Sequence, residues 1–113
     1  MPYIHVSTSK ILSDAQKDAV AAALGQQVTI LPGKSERSLM VDITDGGTMY
    51  FAGTRGTFAY VDVEIYGTAG FEDQKRFTEA VFETMDRCAG LDAGKVYVTV
   101  HENTHWGVNG SMK

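Results

Sequence analysis

Polar and apolar residues alternate most regularly in FAYVDVEIYG, residues 58–67, with Ala59, Val61, Val63 and Ile65 on one side and Phe58, Tyr60, Asp62, Glu64 and Tyr66 on the other. Successive side chains of a strand point to opposite faces, so this two-residue period predicts a strand with one buried face. KVYVTV (95–100) repeats the pattern, setting Val96, Val98 and Val100 against Tyr97 and Thr99. PYIHVST (2–8) is rich in β-branched and aromatic residues and runs into a polar break, and SLMVDITDGG (38–47) ends in an Asp-Gly-Gly turn signal; both read as strands. The period changes in FEDQKRFTEAVFETMDRCAG (71–90), where Phe77, Val81, Met85 and Cys88 recur at helical spacing before Gly90. SDAQKDAVAAALG (13–25) offers a second helix, with Ser13 as N-cap, an acidic first turn, many alanines and Gly25 as its terminator. A strand-like tail follows Trp106.

The resulting order is β-α-β twice, without a Pro- or Ser-rich linker between the halves. Two such units build an α+β fold, one four-stranded sheet with both helices on a single face. At 113 residues the chain suits one domain spanning 1–113. The opposite sheet face then has no cover of its own, and Phe58, Tyr60 and Tyr66 are more apolar than water alone favours. An oligomer is expected. The rival reading is a ferredoxin-like monomer whose aromatics pair across the strands.

Composition and charge narrow the functions. A chain that is 43% hydrophobic and 21% charged is that of a folded protein, and no stretch calls for a membrane partner. The net charge of -4, with no cluster of Lys or Arg, argues against nucleic acid, whose phosphates demand a concentrated positive field. No signal-peptide pattern opens the sequence, so a cytoplasmic address is the default, with export lacking a signal peptide as the alternative. Cys88 is alone and excludes an internal disulfide. His5, His101 and His105 lack a compact ligand spacing, and no metal or other cofactor is expected. The SER and GTRG stretches at 35–37 and 53–56 read as turns without chemistry.

The candidate chemistry lies at the second residue. If Met1 is trimmed, Pro2 presents a secondary amine whose ring fixes the lone pair without freezing any side-chain torsion. Burial or a nearby cation disfavours the protonated form and makes such an amine a base near neutrality. Position alone also suits a bland role, a proline opening an edge strand where no N–H is needed.

The M-P-hydrophobic start, Gly33-Lys34 on a loop before the second strand, MYFAG (49–53), KVYVTV with Tyr97, and WGVNGSM (106–112) together resemble the tautomerase superfamily, and within it the macrophage migration inhibitory factor and D-dopachrome tautomerase family. The resemblance runs nearly end to end. It implies a homotrimer with active sites at subunit boundaries, and keto–enol tautomerisation of phenylpyruvate-like α-keto acids or dopachrome-type substrates. Pro2 would be the catalytic base, and Lys34 would bind the substrate carboxylate or carbonyl oxygen while keeping Pro2 neutral. Tyr97, contributed by a neighbouring subunit, would hydrogen-bond substrate. Backbone near Ile65 and Tyr66 would supply a polar floor, with Trp106, Val108 and Met112 as an apolar wall. The same resemblance leaves open a cytokine-like binding protein with a protein receptor and a secondary pocket.

The sequence also departs from the family pattern. Thr99 stands where better-known animal members carry asparagine, altering one interfacial substrate contact. The animal C-x-x-C is replaced by TFAY, Trp106 and Val108 are exchanged relative to the common arrangement, and Met112-Lys113 stands where an aromatic is frequent. Arg37 and Arg55 do not reproduce the arginine set of dehalogenase and decarboxylase relatives.

Overall fold

In a computed structural model describing residues 1–113, the predicted order of elements is present with one added hairpin, and the strand-like tail forms a second hairpin. Strand β1 (Pro2–Thr8) leads to helix α1 (Asp14–Gln27) and strand β2 (Met40–Thr44). A hairpin of β3 (Met49–Phe51) and β4 (Thr54–Gly56) precedes β5 (Ala59–Tyr66), helix α2 (Phe71–Ala89) and β6 (Val96–Asn103), and a second hairpin, β7 (Gly107–Val108) and β8 (Ser111–Met112), closes the chain. The main sheet has the order β2-β1-β5-β6. Within each β-α-β unit the strands are parallel, β1 with β2 and β5 with β6, and the units join through antiparallel β1 and β5.

The alternation in the sequence decides which face the helices cover. Ile4 and Val6 of β1 and Ala59, Val61, Val63 and Ile65 of β5 turn inward and are buried against Val20 and Leu24 of α1 and Phe77, Val81 and Met85 of α2. Tyr3, His5, Asp42, Tyr60, Asp62, Glu64, Thr99 and His101 occupy the other face, as the cross-strand registers require. That face carries no helix. Its hydroxyls and carboxylates are partly paired, Tyr3 donating to Asp42 at 3.0 Å and Tyr60 lying 2.9 Å from the Thr99 hydroxyl.

Helix α1 starts where expected. Ser13 accepts from the Gln16 N–H at 3.1 Å while the Gln16 side chain accepts from the Ser13 N–H at 2.9 Å, a reciprocal cap that satisfies two otherwise orphaned donors. It does not stop at Gly25. The helix continues to Gln27, and Gly25 is buried within it at a point where a Cβ would collide with the Glu36 carboxylate. This glycine serves a close approach, which sequence spacing cannot distinguish from a C-cap. The predicted second strand contracts from 38–47 to Met40–Thr44, since Glu36–Ser38 form a 3-10 turn and Asp45 turns its carboxylate back to the Leu12 N–H at 2.9 Å. GTRG is corrected from turn to strand: the turn is Ala52-Gly53, both with positive φ (53° and 80°), and Thr54–Gly56 pair with Met49–Phe51. A two-residue loop of this hand matches the natural twist of a hairpin.

Phe77 is the largest fully buried side chain and belongs to the core cluster between helices and sheet. Phe77→Ala is expected to lower the unfolding free energy by about 3–5 kcal/mol, read as a lower denaturation midpoint in urea. A loss below about 1 kcal/mol would mean that the core does not close on this ring.

Candidate active site

The N-terminal end of the sheet gathers four of the expected residues. Pro2 is buried at the start of β1, opposite Ile65 on β5. Tyr66, next along β5, donates its N–H to the Met1 carbonyl at 3.2 Å. Lys34 arrives from the loop after Leu31, a fully buried anchor whose carbonyl accepts the Lys34 N–H at 3.1 Å. The Lys34 ammonium donates to the Tyr66 carbonyl at 2.7 Å, which fixes it beside the chain terminus. On the far side, Asn103 donates to the Ile65 carbonyl at 3.1 Å, so the backbone at Ile65 and Tyr66 is largely engaged within the chain. Burial, and then the Lys34 charge, push the Met1 amine below its ordinary value of 8.0. The environment at this terminus therefore favours a neutral amine.

Tyr97 and Thr99 are not part of that cluster. Tyr97 pairs with Tyr60, five residues along β5 from Ile65, which offsets it from Pro2 by about 17 Å along the strands at about 3.3 Å per residue, with β5 between them. At that end of the sheet it is 59% exposed and packs edge-on against Phe51, ring centres 5.7 Å apart. Around it lies an apolar hollow of about 220 Å³ lined by Met49, Tyr50, Phe51, Phe58, Tyr60 and Val96. Within one chain the expected pocket is thus split. Its base and cation lie at one end of the sheet and its tyrosine at the other.

Trp106, Val108 and Met112 form a third group. They belong to the β7–β8 hairpin, a separate two-stranded sheet closed by Asn109-Gly110 with φ of 52° and 80°. Trp106 and Lys113 exchange both backbone hydrogen bonds, at 3.2 and 2.9 Å, which brackets the hairpin. Trp106 and Val108 are half-buried and Met112 is exposed. The Asn-Gly pair is a strong hairpin signal that turns the vague strand-like tail into a defined element. The β3–β4 hairpin was harder to read, because its three-residue strands show too few alternations to register as a period. The three histidines do not converge: His5 meets the Thr44 hydroxyl, His105 the Lys113 carbonyl, and His101 the carboxylates of Asp62 and Glu64.

Comparison with known proteins bears on what this geometry is for. The family model for macrophage migration inhibitory factor (MIF) matches residues 1–112. A MIF2 structure from Leishmania major is 27% identical over 100% of this chain and 97% of its own, with a TM-score of 0.92. A MIF-like protein from Entamoeba histolytica is 18% identical over 99% and 98% (TM-score 0.87), and a homologue from Prochlorococcus marinus 22% over 97% and 97% (TM-score 0.86). No curated protein matches the sequence.

The amine and Lys34 are linked in a way that titration reads. A depressed amine binds fewer protons folded than unfolded, so stability falls as pH drops from 8.0 through the lowered value. Lys34→Ala removes the second cause of the depression. The amine is expected to titrate higher in the variant by NMR, and the fall in stability across that window to shrink. An unchanged or lower amine value would show that the ammonium does not act on it.

Proposed function

The chain belongs to the macrophage migration inhibitory factor family, and on that premise we propose that it is a keto–enol tautomerase of phenylpyruvate-like α-keto acids, with Pro2 as general acid and base once Met1 is removed. The observation that carries the reading is the Lys34 ammonium, held 2.7 Å from the Tyr66 carbonyl beside a terminus whose amine is depressed. While Met1 is attached, the Pro2 nitrogen is an amide and has no basic lone pair. Removal of Met1 turns it into a secondary amine at a buried position next to a fixed cation.

The chemistry then needs little else. Starting from the enol, the neutral Pro2 nitrogen takes the hydroxyl proton as the carbonyl forms, and the prolinium returns a proton to the adjacent carbon. No atom is gained or lost. Lys34 spends one donor on Tyr66 and keeps two for the substrate carboxylate or carbonyl oxygen. Its charge orients the acid and opposes protonation of Pro2 between turnovers.

A homotrimer completes the pocket. The split between Pro2 and Tyr97 supports this, because a neighbouring copy that docks on the uncovered sheet face and its apolar hollow would bring Tyr97 to the Pro2 end. The Trp106–Met112 hairpin then supplies the apolar wall for an aryl ring.

Pro2→Gly, which keeps a small residue for Met1 removal, is expected to slow enol loss from phenylpyruvate by about 10² to 10⁴, followed spectrophotometrically. Equal rates would remove Pro2 from the mechanism and leave the cytokine-like binding role as the better reading. Light scattering is expected to give three times the 12.3 kDa chain mass. A monomer would leave the pocket without Tyr97.

A further inference from the structure

The uncovered sheet face holds a second cluster that proton transfer at Pro2 does not use. Asp62 and Glu64, two residues apart on β5, turn to the same face, and His101 on β6 is the register partner of Glu64. The His101 Nε2 lies 3.5 Å from Asp62 Oδ1 and 3.9 Å from Glu64 Oε2, and the three donor atoms lie within 4.8 Å of one another. These separations exceed the usual 2.7–3.2 Å of a hydrogen bond. The Asp62 side chain as a whole is 37% exposed, but Oδ1 itself is shut off from solvent and has no hydrogen-bond partner. A buried carboxylate oxygen without a donor is costly unless something else satisfies it.

A small divalent cation would satisfy it. With bonds of about 2.0–2.2 Å in tetrahedral geometry, neighbouring ligand atoms stand about 3.3–3.6 Å apart. The Asp62–His101 edge already has that length; the Glu64–His101 edge, at 3.9 Å, and the Asp62–Glu64 edge, within 4.8 Å, reach it by rotation of the side chains. Glu64 is oriented by its other oxygen, since Oε1 accepts from the Asn103 amide at 3.2 Å and leaves Oε2 turned to the imidazole. Such outer-shell bonds orient metal ligands. One imidazole and two carboxylates are donors of the kind zinc takes, and in a single chain the His101 ring is 54% exposed, which leaves a path for the ion and for a water as fourth ligand.

We propose that Asp62, Glu64 and His101 form a divalent-cation site, with zinc as its preferred ion and one ion bound per chain. The bound ion neutralises two carboxylates that stand side by side on the face where copies of the chain are proposed to meet. The site itself depends on neither the trimer nor the catalytic reading.

The test is calorimetric titration of zinc into the full chain after treatment with a chelator. Wild-type protein is expected to bind one zinc per chain, and His101→Ala and Asp62→Asn each to weaken binding by more than about 100-fold, beyond the roughly 10- to 100-fold that loss of an outer-shell partner costs. His105→Ala, which alters a histidine remote from the cluster, is expected to leave the affinity unchanged. Cobalt provides a second readout that does not depend on stability, since a tetrahedral site with a nitrogen ligand gives visible absorption that His101→Ala abolishes. No zinc binding in wild type, or binding that both His101→Ala and Asp62→Asn leave intact, overturns the proposal.

Discussion

The antiparallel pairing of β1 with β5 is the contact on which the rest depends. Each β-α-β unit could form its own parallel pair, but two strands and one helix bury too little apolar surface to stand alone. Joining the units along β1 and β5 brings Ile4 and Val6 beside Val61 and Val63 and gives both helices one floor to pack on. The same register seats Pro2 opposite Ile65, one residue from the carbonyl that holds Lys34. A proline suits this first position because it needs no donor of its own. The packing of the core and the placement of Lys34 beside the chain terminus are thus set by a single alignment, and a slip by one residue would turn the core side chains to the open face.

That alignment also separates two environments. On the helix side the central strands present Ile4, Val6, Val61, Val63 and Ile65, whereas the open side carries carboxylates, imidazoles and phenols within a few ångströms of one another. Burial, then the hydrogen bond to Asp42 and the charges of Asp42 and Asp62, push the Tyr3 phenol above its ordinary value. Charge accumulates there because the core side has no room for it.

Much of the fold was legible in the sequence, and for particular reasons. Residues 58–67 and 71–90 have enough repeats of period 2 and 3.6 to name both their type and their buried face, and Val61 and Phe77 fall where those periods put them. Gly25 misled because a glycine required for close approach to Glu36 looks the same as one that ends a helix. The β3–β4 hairpin was missed because its pairing lies in Ala52 and Gly53 adopting positive φ, which alanine rarely signals. Pro2, Lys34, Ile65 and Tyr66 come together at one end of the sheet, although their grouping came from family resemblance and not from spacing. The Asp62–His101 contact was hidden, since the two lie 39 positions apart and meet only through the parallel register of β5 and β6.

The C-terminal hairpin has its own ladder and its own Asn-Gly turn, and it shares no strand with the main sheet. Exchanges at Trp106, Val108 or Met112 therefore leave the backbone pairing of the main sheet untouched. The appendage and the scaffold are thus held by separate sets of backbone hydrogen bonds, and each keeps its shape on its own terms.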